Sequence, residues 1–257
     1  MKKYGLLAHP TKYSLSPKMW NAAFESLGMD CVYETADVLP ENLNTELQEL
    51  KTNFSGLSVS MPYKETIIPL LDSISEDAAK IKAVNTVKIE NGQAHGFNTD
   101  WIGVHQALGQ IPELSQKTVL INGTGGATRA AIFALNKFGI IPFVHGRSKE
   151  KVEILAADFK IKTADSLSIP NINIFINGTS IGLEKDEKYP IEDAVLKNFE
   201  WVFDVVYGET ELLRRAKSFE VKTINGFEMV LYQGFEQFRI LTGVEAPKEV
   251  MRTAIYS

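Results

Sequence analysis

Short apolar runs separated by polar and amphipathic stretches mark the elements of the first part of the chain. The runs YGLLAHP, CVYETADV and FSGLSVSMP predict buried strands. The stretch NTVKIENGQAHGFN predicts a hairpin, because Asn91-Gly92 is a favoured two-residue turn. Helices are predicted over SPKMWNAAFESLG, LPENLNTELQELKT, KETIIPLLD and SEDAAKIKA. In the first of these helices, Ser16 is a suitable N-cap, Pro17 fits the first helical position and Gly28 ends the helix.

A second pattern begins near residue 101, where WIGVHQALGQ predicts a connecting helix. Strands are predicted over KTVLIN, IIPFVHGRS, INIFINGTS and WVFDVVY, with helices after the first two. Strands that alternate with helices predict a parallel sheet covered on both faces. The stretch from Gly226 to Ser257 has helical spacing, and we expect it to pack on the first domain. The predicted organisation is therefore an α/β protein of two domains, residues 1–101 with 227–257 and residues 102–226.

Composition narrows the class of protein. The chain has 257 residues, 44% of them hydrophobic, which is enough for two cored domains without disulfides. A net charge of -5 argues against nucleic acid or an anionic membrane as a partner. The single cysteine, Cys31, and the lack of a signal segment or a long apolar span predict a cytoplasmic protein. The four histidines show no ligand spacing, so no metal site is expected.

The stretch NGTGGATRAA lies between an apolar strand and an apolar helix, the context of a dinucleotide-binding turn. Gly123 permits the tight turn and Gly125 lets the backbone approach a pyrophosphate, which the N-terminus of the next helix attracts. Thr128 occupies the third glycine position of the usual motif. A glycine-rich turn without a ligand is the alternative. The predicted phosphate-binding residues are Gly123, Thr124, Gly125, Gly126 and Ala127.

The end of the next predicted strand bears on the choice between NAD and NADP. An NAD site usually carries an acidic residue about 20 residues beyond the glycines, where it binds the ribose hydroxyls. Here the sequence reads HGRSKEK and offers Arg147, Ser148 and Lys151. Two cations and a hydroxyl suit the 2′-phosphate of NADP. A solvated, basic helix start is the alternative interpretation.

Polar side chains cluster at the predicted strand ends of the first domain, where open α/β sheets bind ligands. Within this group, Lys64 and Asp100 can act together, because a carboxylate keeps a neighbouring lysine charged and oriented. A positioned ammonium can donate a proton to a developing alkoxide. Alternatively, Lys64 is a surface lysine and Asp100 is the N-cap of the helix that follows it. The clustered residues are Ser14, Ser16, Ser60, Lys64, Asn85, Thr86, Asn98, Thr99 and Asp100.

These motifs, taken in order along nearly the whole chain, resemble the shikimate dehydrogenase family. HPTKYSLSPKMWN resembles the stretch whose two serines hold the substrate carboxylate, and SVSMPYK resembles N-V-T-x-P-x-K with its catalytic lysine. AVNT, GFNTD, GTGGATRA, GRSKEK, INGTSIGL and NGFEMVLYQGFEQF resemble further family motifs. The resemblance makes Lys64 and Asp100 the catalytic pair and places Gly226 and Met229 near the nicotinamide. It assigns substrate binding to Ser14, Ser16, Ser60, Asn85, Tyr207 and Gln233.

The resemblance implies a substrate domain, a Rossmann-like NADP-binding domain and C-terminal helices that return to the substrate domain. The implied reaction is the reversible reduction of 3-dehydroshikimate to shikimate with NADPH, by a monomer or homodimer. Several positions depart from the family pattern. Ser58 and Ser60 stand for asparagine and threonine, Tyr13 and Trp20 for histidines, and Gly146 for asparagine; the segment after Tyr207 is shorter. Relaxed specificity for quinate or a related polyol acid, and a non-catalytic dinucleotide sensor, are the alternatives.

Overall fold

The computed structural model describes residues 1–184 and 187–256, and the chain forms two compact units. Unit 1 combines Met1–Thr99 with the chain from Leu231 onward, and unit 2 is Asp100–Val230. The long helix α10 (Gly226–Thr242) therefore begins in unit 2 and continues in unit 1.

Unit 1 contains a mixed six-stranded sheet in the order β2-β1-β3-β5-β6-β4. Strand β1 pairs in parallel with β2 and β3, whereas β5 runs antiparallel to both β3 and β6. The strands are β1 (Lys2–Ala8), β2 (Cys31–Asp37), β3 (Gly56–Val59), β4 (Ser73–Ile74), β5 (Thr86–Glu90) and β6 (Gln93–Phe97). The predicted hairpin is confirmed: Asn91 and Gly92 both have positive φ, 52° and 77°, as a type I′ turn requires.

The helices of unit 1 cover this sheet, and α1 packs against the C-terminal helix α11. They are α1 (Ser16–Ser26), α2 (Leu43–Asn53), α3 (Tyr63–Thr66), α4 (Glu76–Ile81) and α11 (Lys248–Tyr256), with 3-10 turns at Pro40–Asn42 and Ile68–Leu70. The prediction of Ser16 as an N-cap is wrong, because Leu15 holds that position. The Ser14 hydroxyl instead accepts the Ser16 backbone N–H at 3.2 Å. Gly28 ends α1 with a φ of 60°, as predicted.

Unit 2 contains a six-stranded parallel sheet in the order β12-β11-β10-β7-β8-β9. From β7 the chain forms β8 and β9 on one side of that strand, and then crosses to form β10, β11 and β12 on the other side. The strand order therefore reverses between β7 and β10, as in dinucleotide-binding folds. This order confirms the predicted Rossmann-like fold. The strands are β7 (Val119–Asn122), β8 (Phe143–His145), β9 (Lys162–Thr163), β10 (Ile174–Asn177), β11 (Trp201–Asp204) and β12 (Lys222–Asn225).

Helices cover both faces of this sheet, and the side chains of each strand explain why. Ile121, Ile176 and Phe203 point into one apolar core, while the neighbouring Leu120 and Phe175 point into the other. Strands buried on both faces read as continuous apolar runs, which made them predictable. The helices are α5 (Asp100–Leu108), α6 (Gly126–Lys137), α7 (Lys149–Asp158), α8 (Asp193–Leu196) and α9 (Glu211–Ser218), with a 3-10 turn at Leu114–Gln116.

Candidate functional site

A row of polar residues crosses unit 2 at the carboxyl ends of its strands. The row is in register, since each member is paired with the next on the neighbouring strand. Its members are His145, Asn122, Asn177, Asp204 and Asn225. Loops that follow this edge of an open α/β sheet are where such folds bind ligands. The glycine turn directly follows Asn122, and the predicted 2′-phosphate residues follow His145.

The glycine turn has the geometry of a phosphate-binding loop. Gly123 has a φ of 134°, and a Cβ there would lie 2.7 Å from Thr128 Oγ1 and 2.8 Å from the Gly178 backbone, so only glycine fits. Gly125 is exposed at the N-cap of α6, and a Cβ there would meet no described atom within 4 Å. The first amides of a helix have no intrahelical partner, so α6 presents N–H groups and a positive dipole end beside this open side.

Thr128 stands where a third glycine is usual, and it packs against Gly178, the residue that follows β10. The Thr128 hydroxyl donates to the Gly178 carbonyl at 3.4 Å, and a Cβ at Gly178 would lie 2.4 Å from Thr128 Oγ1. The close approach of α6 to the end of β10 is thus achieved through Gly178. Although Thr128 departs from the strict motif, helix α6 still packs closely against the sheet, as the motif requires.

The residues predicted for the 2′-phosphate lie together at the start of α7. The Ser148 hydroxyl caps this helix by accepting the Lys151 backbone N–H at 3.3 Å. Arg147 precedes the cap, and the side chains of Arg147 and Lys151 are exposed. Two cations, a hydroxyl and a helix N-terminus form an arrangement that favours a dianionic phosphate.

Asp204 anchors the loop that follows β11. Asn177 Nδ2 and the Val206 N–H donate to its Oδ1 at 2.8 and 3.0 Å, and the Thr210 hydroxyl donates to its Oδ2 at 2.7 Å. The carboxyl group is fully buried, and this burial raises its pKa from 3.8 to about 6 against the lowering effect of its hydrogen bonds. Asp204 did not stand out in the sequence, because WVFDVVY reads as a strand.

Tyr189 was also missed by sequence reasoning. Its buried hydroxyl bonds to Asn122 Nδ2 and donates to Asn177 Oδ1 at 3.1 Å, so it joins two strand ends of the polar row. Burial raises the pKa of this phenol, which keeps it neutral and able to donate. A tyrosine between lysine and proline in a polar stretch carries no sequence signal for such a position.

Tyr207, Gly226 and Met229 lie near the end of β12 and the start of α10. The Tyr207 ring stacks on Phe227 with centroids 5.8 Å apart. Asn225 closes the short segment after Tyr207, since its side chain accepts the Gly208 N–H at 3.2 Å and donates to the Gly208 carbonyl at 2.6 Å. These bonds give the shortened segment a defined geometry.

Two close backbone contacts fix the start of α10. A Cβ at Gly226 would lie 2.4 Å from the Val205 carbonyl oxygen, so glycine is required there. A Cβ at Gly103 would lie 2.5 Å from the Met229 carbonyl oxygen, so α5 and α10 touch at that glycine. The backbone around the two residues predicted to lie near the nicotinamide is therefore closely packed.

In unit 1, the predicted serines and lysine follow the parallel strands β1 and β3. Ser14 and Ser16 lie after β1 and are half-buried. Ser60 ends β3: its N–H donates to the Leu7 carbonyl at 2.9 Å. Lys64 lies in α3, where its carbonyl accepts the Val84 N–H at 2.7 Å and its side chain is half-buried.

Asn85 makes hydrogen bonds through both atoms of its side-chain amide. Its Oδ1 accepts the Thr99 N–H and the Thr86 hydroxyl, each at 2.8 Å. Its Nδ2 donates to Thr99 Oγ1 at 2.9 Å and to Gln233 Oε1 at 3.3 Å. Both Asn85 and Gln233 are buried. The structure thus brings together these two predicted substrate ligands in one polar cluster.

Asp100 follows Thr99 and is the first residue of α5. It is 4% exposed, which is unusual for a carboxylate. Its charge suits the positive end of a helix. Lys64 belongs to unit 1 and Asp100 opens unit 2, and their pairing in catalysis stays a prediction.

Comparison with known proteins identifies the family. A model of the shikimate dehydrogenase substrate binding domain matches residues 6–87, and one of the shikimate 5′-dehydrogenase C-terminal domain matches residues 226–256. The shikimate dehydrogenase (NADP(+)) of Aquifex aeolicus is 40% identical over 256 residues, covering 98% of this chain and 95% of that protein. The chain belongs to the shikimate dehydrogenase family.

Solved structures of shikimate dehydrogenases agree with this assignment. The enzyme from Aquifex aeolicus has a TM-score of 0.94 at 39% identity, covering 100% of this chain and 98% of that one. Shikimate 5-dehydrogenase from Thermus thermophilus, solved in complex with NADP(H) and shikimate, has a TM-score of 0.91 at 34% identity, covering 100% and 99%. The likeness therefore extends over the whole chain.

One departure from the shikimate dehydrogenase pattern has a structural explanation. Trp20 is fully buried and packs against aromatic rings from several elements, with Tyr33 and Phe238 at centroid distances of 5.0 and 5.1 Å. Among the residues that the structure describes, its Nε1 has no hydrogen-bond partner. Position 20 thus belongs to the aromatic core of unit 1.

Two classes of feature are not found in the part of the chain that the structure describes. Residues 1–184 and 187–256 contain no group of three His, Cys, Asp or Glu side chains suited to a metal ion. Within the same residues, no helix has the length and apolar character needed to cross a membrane.

Proposed function

We propose that this chain is an NADP-dependent shikimate dehydrogenase that reversibly reduces 3-dehydroshikimate to shikimate. The observation that carries the proposal is 40% identity over nearly the full length of a shikimate dehydrogenase (NADP(+)). The protein is accordingly an oxidoreductase that acts on a CH–OH group. The name of these relatives assigns the reaction to the shikimate pathway, which leads to chorismate and the aromatic amino acids.

Lys64 and Asp100 carry the proton chemistry in this proposal. Reduction of the ketone requires a hydride and a proton, and NADPH supplies the hydride when bound. The Lys64 ammonium donates a proton toward the carbonyl oxygen and stabilises the negative charge that develops there. The Asp100 carboxylate keeps Lys64 charged and oriented. In the reverse direction, Lys64 accepts the proton of the shikimate hydroxyl.

The remaining polar residues of the cluster bind the substrate. The hydroxyls of Ser14 and Ser16 follow β1 together and donate to the substrate carboxylate. Asn85 and Gln233 bind substrate hydroxyls, because their amides offer both donors and acceptors. The bond of 3.3 Å between these two side chains is longer than the bond of 2.9 Å from Asn85 Nδ2 to Thr99 Oγ1, and it can be exchanged for a bond to a substrate hydroxyl. Ser60 and Tyr207 complete the proposed substrate ligands.

The cofactor residues follow the strand ends of unit 2. The pyrophosphate of NADP fits the open side of Gly125 and the first amides of α6, from Gly126 and Ala127. Arg147, Ser148 and Lys151 bind the 2′-phosphate. Gly123 and Thr124 shape the turn, and Gly226 and Met229 lie near the nicotinamide. We propose a monomer or homodimer in the cytoplasm, with these small molecules as its partners.

The test uses purified protein and the absorbance of the reduced nicotinamide, with shikimate or quinate each paired with NADP⁺ or NAD⁺. Rapid reduction with shikimate and NADP⁺ alone is the expected result. Comparable rates with quinate would assign the chain to the relaxed-specificity alternative. Absence of turnover in all pairs, from folded protein that binds NADPH, would refute the dehydrogenase function and support a sensor.

A further inference from the structure

Two glutamines of α10 contact the same asparagine. Gln233 and Gln237 are four residues apart, so they lie on one face of the helix. Gln233 Oε1 accepts from the side chain of Asn85, whereas Gln237 Nε2 donates to the backbone carbonyl of Asn85 at 2.9 Å. The helix therefore holds Asn85 at both its side chain and its main chain.

The amide orientation of Gln237 is fixed by a serine hydroxyl. Ser58 Oγ donates to Gln237 Oε1 at 2.8 Å, and it accepts from the Tyr33 hydroxyl at 2.7 Å. If this amide were rotated by half a turn, its oxygen would face the Asn85 carbonyl and its NH₂ group would face Ser58. The bonds that Gln237 makes to Asn85 and Ser58 would then both be lost. The residues Tyr33, Ser58, Gln237 and Asn85 are each at most 4% exposed, so water cannot replace a lost partner at little cost.

The chain of bonds begins at the buried Tyr33 phenol, and its bond to Ser58 opposes the rise in its pKa that burial causes. Burial dominates and the pKa of Tyr33 is raised, so the phenol keeps the proton it donates to Ser58. Tyr33 and Asn85 are thus joined through the buried side chains of Ser58 and Gln237.

The bond from Gln237 is not needed to satisfy the Asn85 carbonyl. That carbonyl already accepts the Val59 N–H at 2.7 Å. A carbonyl oxygen has two acceptor sites, and one bond meets the usual requirement of a buried group. A second buried bond, made by a side chain that brings its own desolvation cost, constrains the direction of the Asn85 main chain.

We propose that Gln237 is a positioning residue for the substrate site, which with Tyr33 and Ser58 forms a buried link that fixes the position of Asn85. Asn85 is the proposed ligand of a substrate hydroxyl, so the link sets where that hydroxyl binds. The inference rests on the proposed function. Gln237 itself acts through Asn85 and does not touch the substrate.

The test measures how Gln237→Met changes the binding of two different ligands. Methionine has nearly the same length and no hydrogen bonds to offer, so it removes the link while filling the space. We expect the KM and the calorimetric Kd for shikimate to rise about tenfold, as the loss of one or two buried hydrogen bonds implies. The Kd for NADP⁺ should stay within about twofold, because the link lies wholly in unit 1.

Two further variants separate positioning from stability. Leu47→Ala opens a cavity in the core of unit 1 and should lower the Tm without changing shikimate binding. Tyr33→Phe/Ser58→Ala/Gln237→Met removes both hydroxyls that the single change leaves without a full set of partners, and should recover part of the stability lost in Gln237→Met, but it should keep the raised Kd for shikimate. Recovery of both quantities together would overturn the positioning role.

A smaller substitution keeps the test valid if Gln237→Met does not fold. Tyr33→Phe deletes the hydroxyl at the start of the link and should also raise the Kd for shikimate while leaving NADP⁺ binding unchanged. Shikimate binding equal to that of the wild type in both Gln237→Met and Tyr33→Phe would overturn the inference. A wild-type protein that neither binds nor oxidises shikimate would instead refute the proposed function, and the inference with it.

Discussion

Gly146 lies directly against the methyl group of Thr124: a Cβ added at Gly146 would fall 2.6 Å from Thr124 Cγ2. The contact explains why this chain has glycine where the family usually has asparagine before Arg147. Gly146→Asn should force the phosphate turn and the loop after β8 apart. We expect the affinity for NADP⁺ to fall about tenfold, in line with the cost of overpacking, as measured by calorimetric titration.

The matched variant removes the obstructing methyl group. In Thr124→Ser/Gly146→Asn, the Cγ2 atom is gone and the next Thr124 atom would lie 3.9 Å from the new Cβ, while Val152 Cγ2 stays 3.1 Å away. This double variant should regain part of the NADP⁺ affinity lost in Gly146→Asn. If the single variant binds NADP⁺ as tightly as the wild type, the contact does not determine the residue at position 146.

The main elements of the fold could be predicted because their signals are local. The apolar runs of β7, β10 and β11 are buried on both faces, and the Asn91-Gly92 turn requires only its own backbone angles. Elements without such signals were missed. The strands β4 and β9 have two residues each, and α9 is amphipathic within a stretch that reads as polar.

The candidate site was predictable only where its residues belong to recognisable motifs. The Ser58–Gln237 bond joins residues 179 positions apart, so no local pattern indicates it. Serine is a good N-cap by propensity, but here Leu15 holds the N-cap position, and Ser16 is the first residue of the helix, with its N–H bonded to the Ser14 hydroxyl. Residues that act through long-range contacts can be identified only in the folded structure.

Replacing Lys64 tests the proposed proton donor. Lys64→Ala should reduce kcat with shikimate and NADP⁺ by a factor on the order of 100 or more, because general acid–base catalysis contributes that much. The Kd for NADP⁺ should change little. Lys80→Ala, which removes an exposed lysine paired with Glu76, serves as the control and should keep full activity. Near-normal kcat in folded Lys64→Ala would remove Lys64 from the mechanism.

Replacing Arg147 tests the 2′-phosphate assignment. Arg147→Ala should weaken the binding of NADPH by about tenfold or more, since a charge-assisted bond to phosphate is lost. NADH lacks the 2′-phosphate, so its Kd should be almost unaffected. Fluorescence titration of both nucleotides gives the ratio, with the exposed Arg214→Ala as the control. Equal losses for NADPH and NADH would show that Arg147 does not recognise the 2′-phosphate.

The buried Asp204 carboxyl predicts how stability depends on pH. Its pKa is about 6 in the folded protein and about 3.8 when unperturbed, so the native state holds a proton that the unfolded chain releases. The contribution of this group is therefore fully present below about pH 4 and is lost as the pH rises through about 6. The difference of about two pH units corresponds to a loss on the order of 3 kcal/mol in the free energy of unfolding.

Asp204→Asn resembles the protonated carboxyl at every pH, because its amide can accept from Asn177 and donate to Thr210. The free energy of unfolding in urea, measured from pH 4 to pH 7.5, should fall less steeply in this variant than in the wild type. The variant should gain relative to the wild type as the pH rises. Asp165→Asn, which changes a fully exposed carboxyl, should follow the wild-type curve. Parallel curves for Asp204→Asn and the wild type would mean that Asp204 ionises at its ordinary pKa. Its burial would then not cause the pH dependence of the free energy of unfolding.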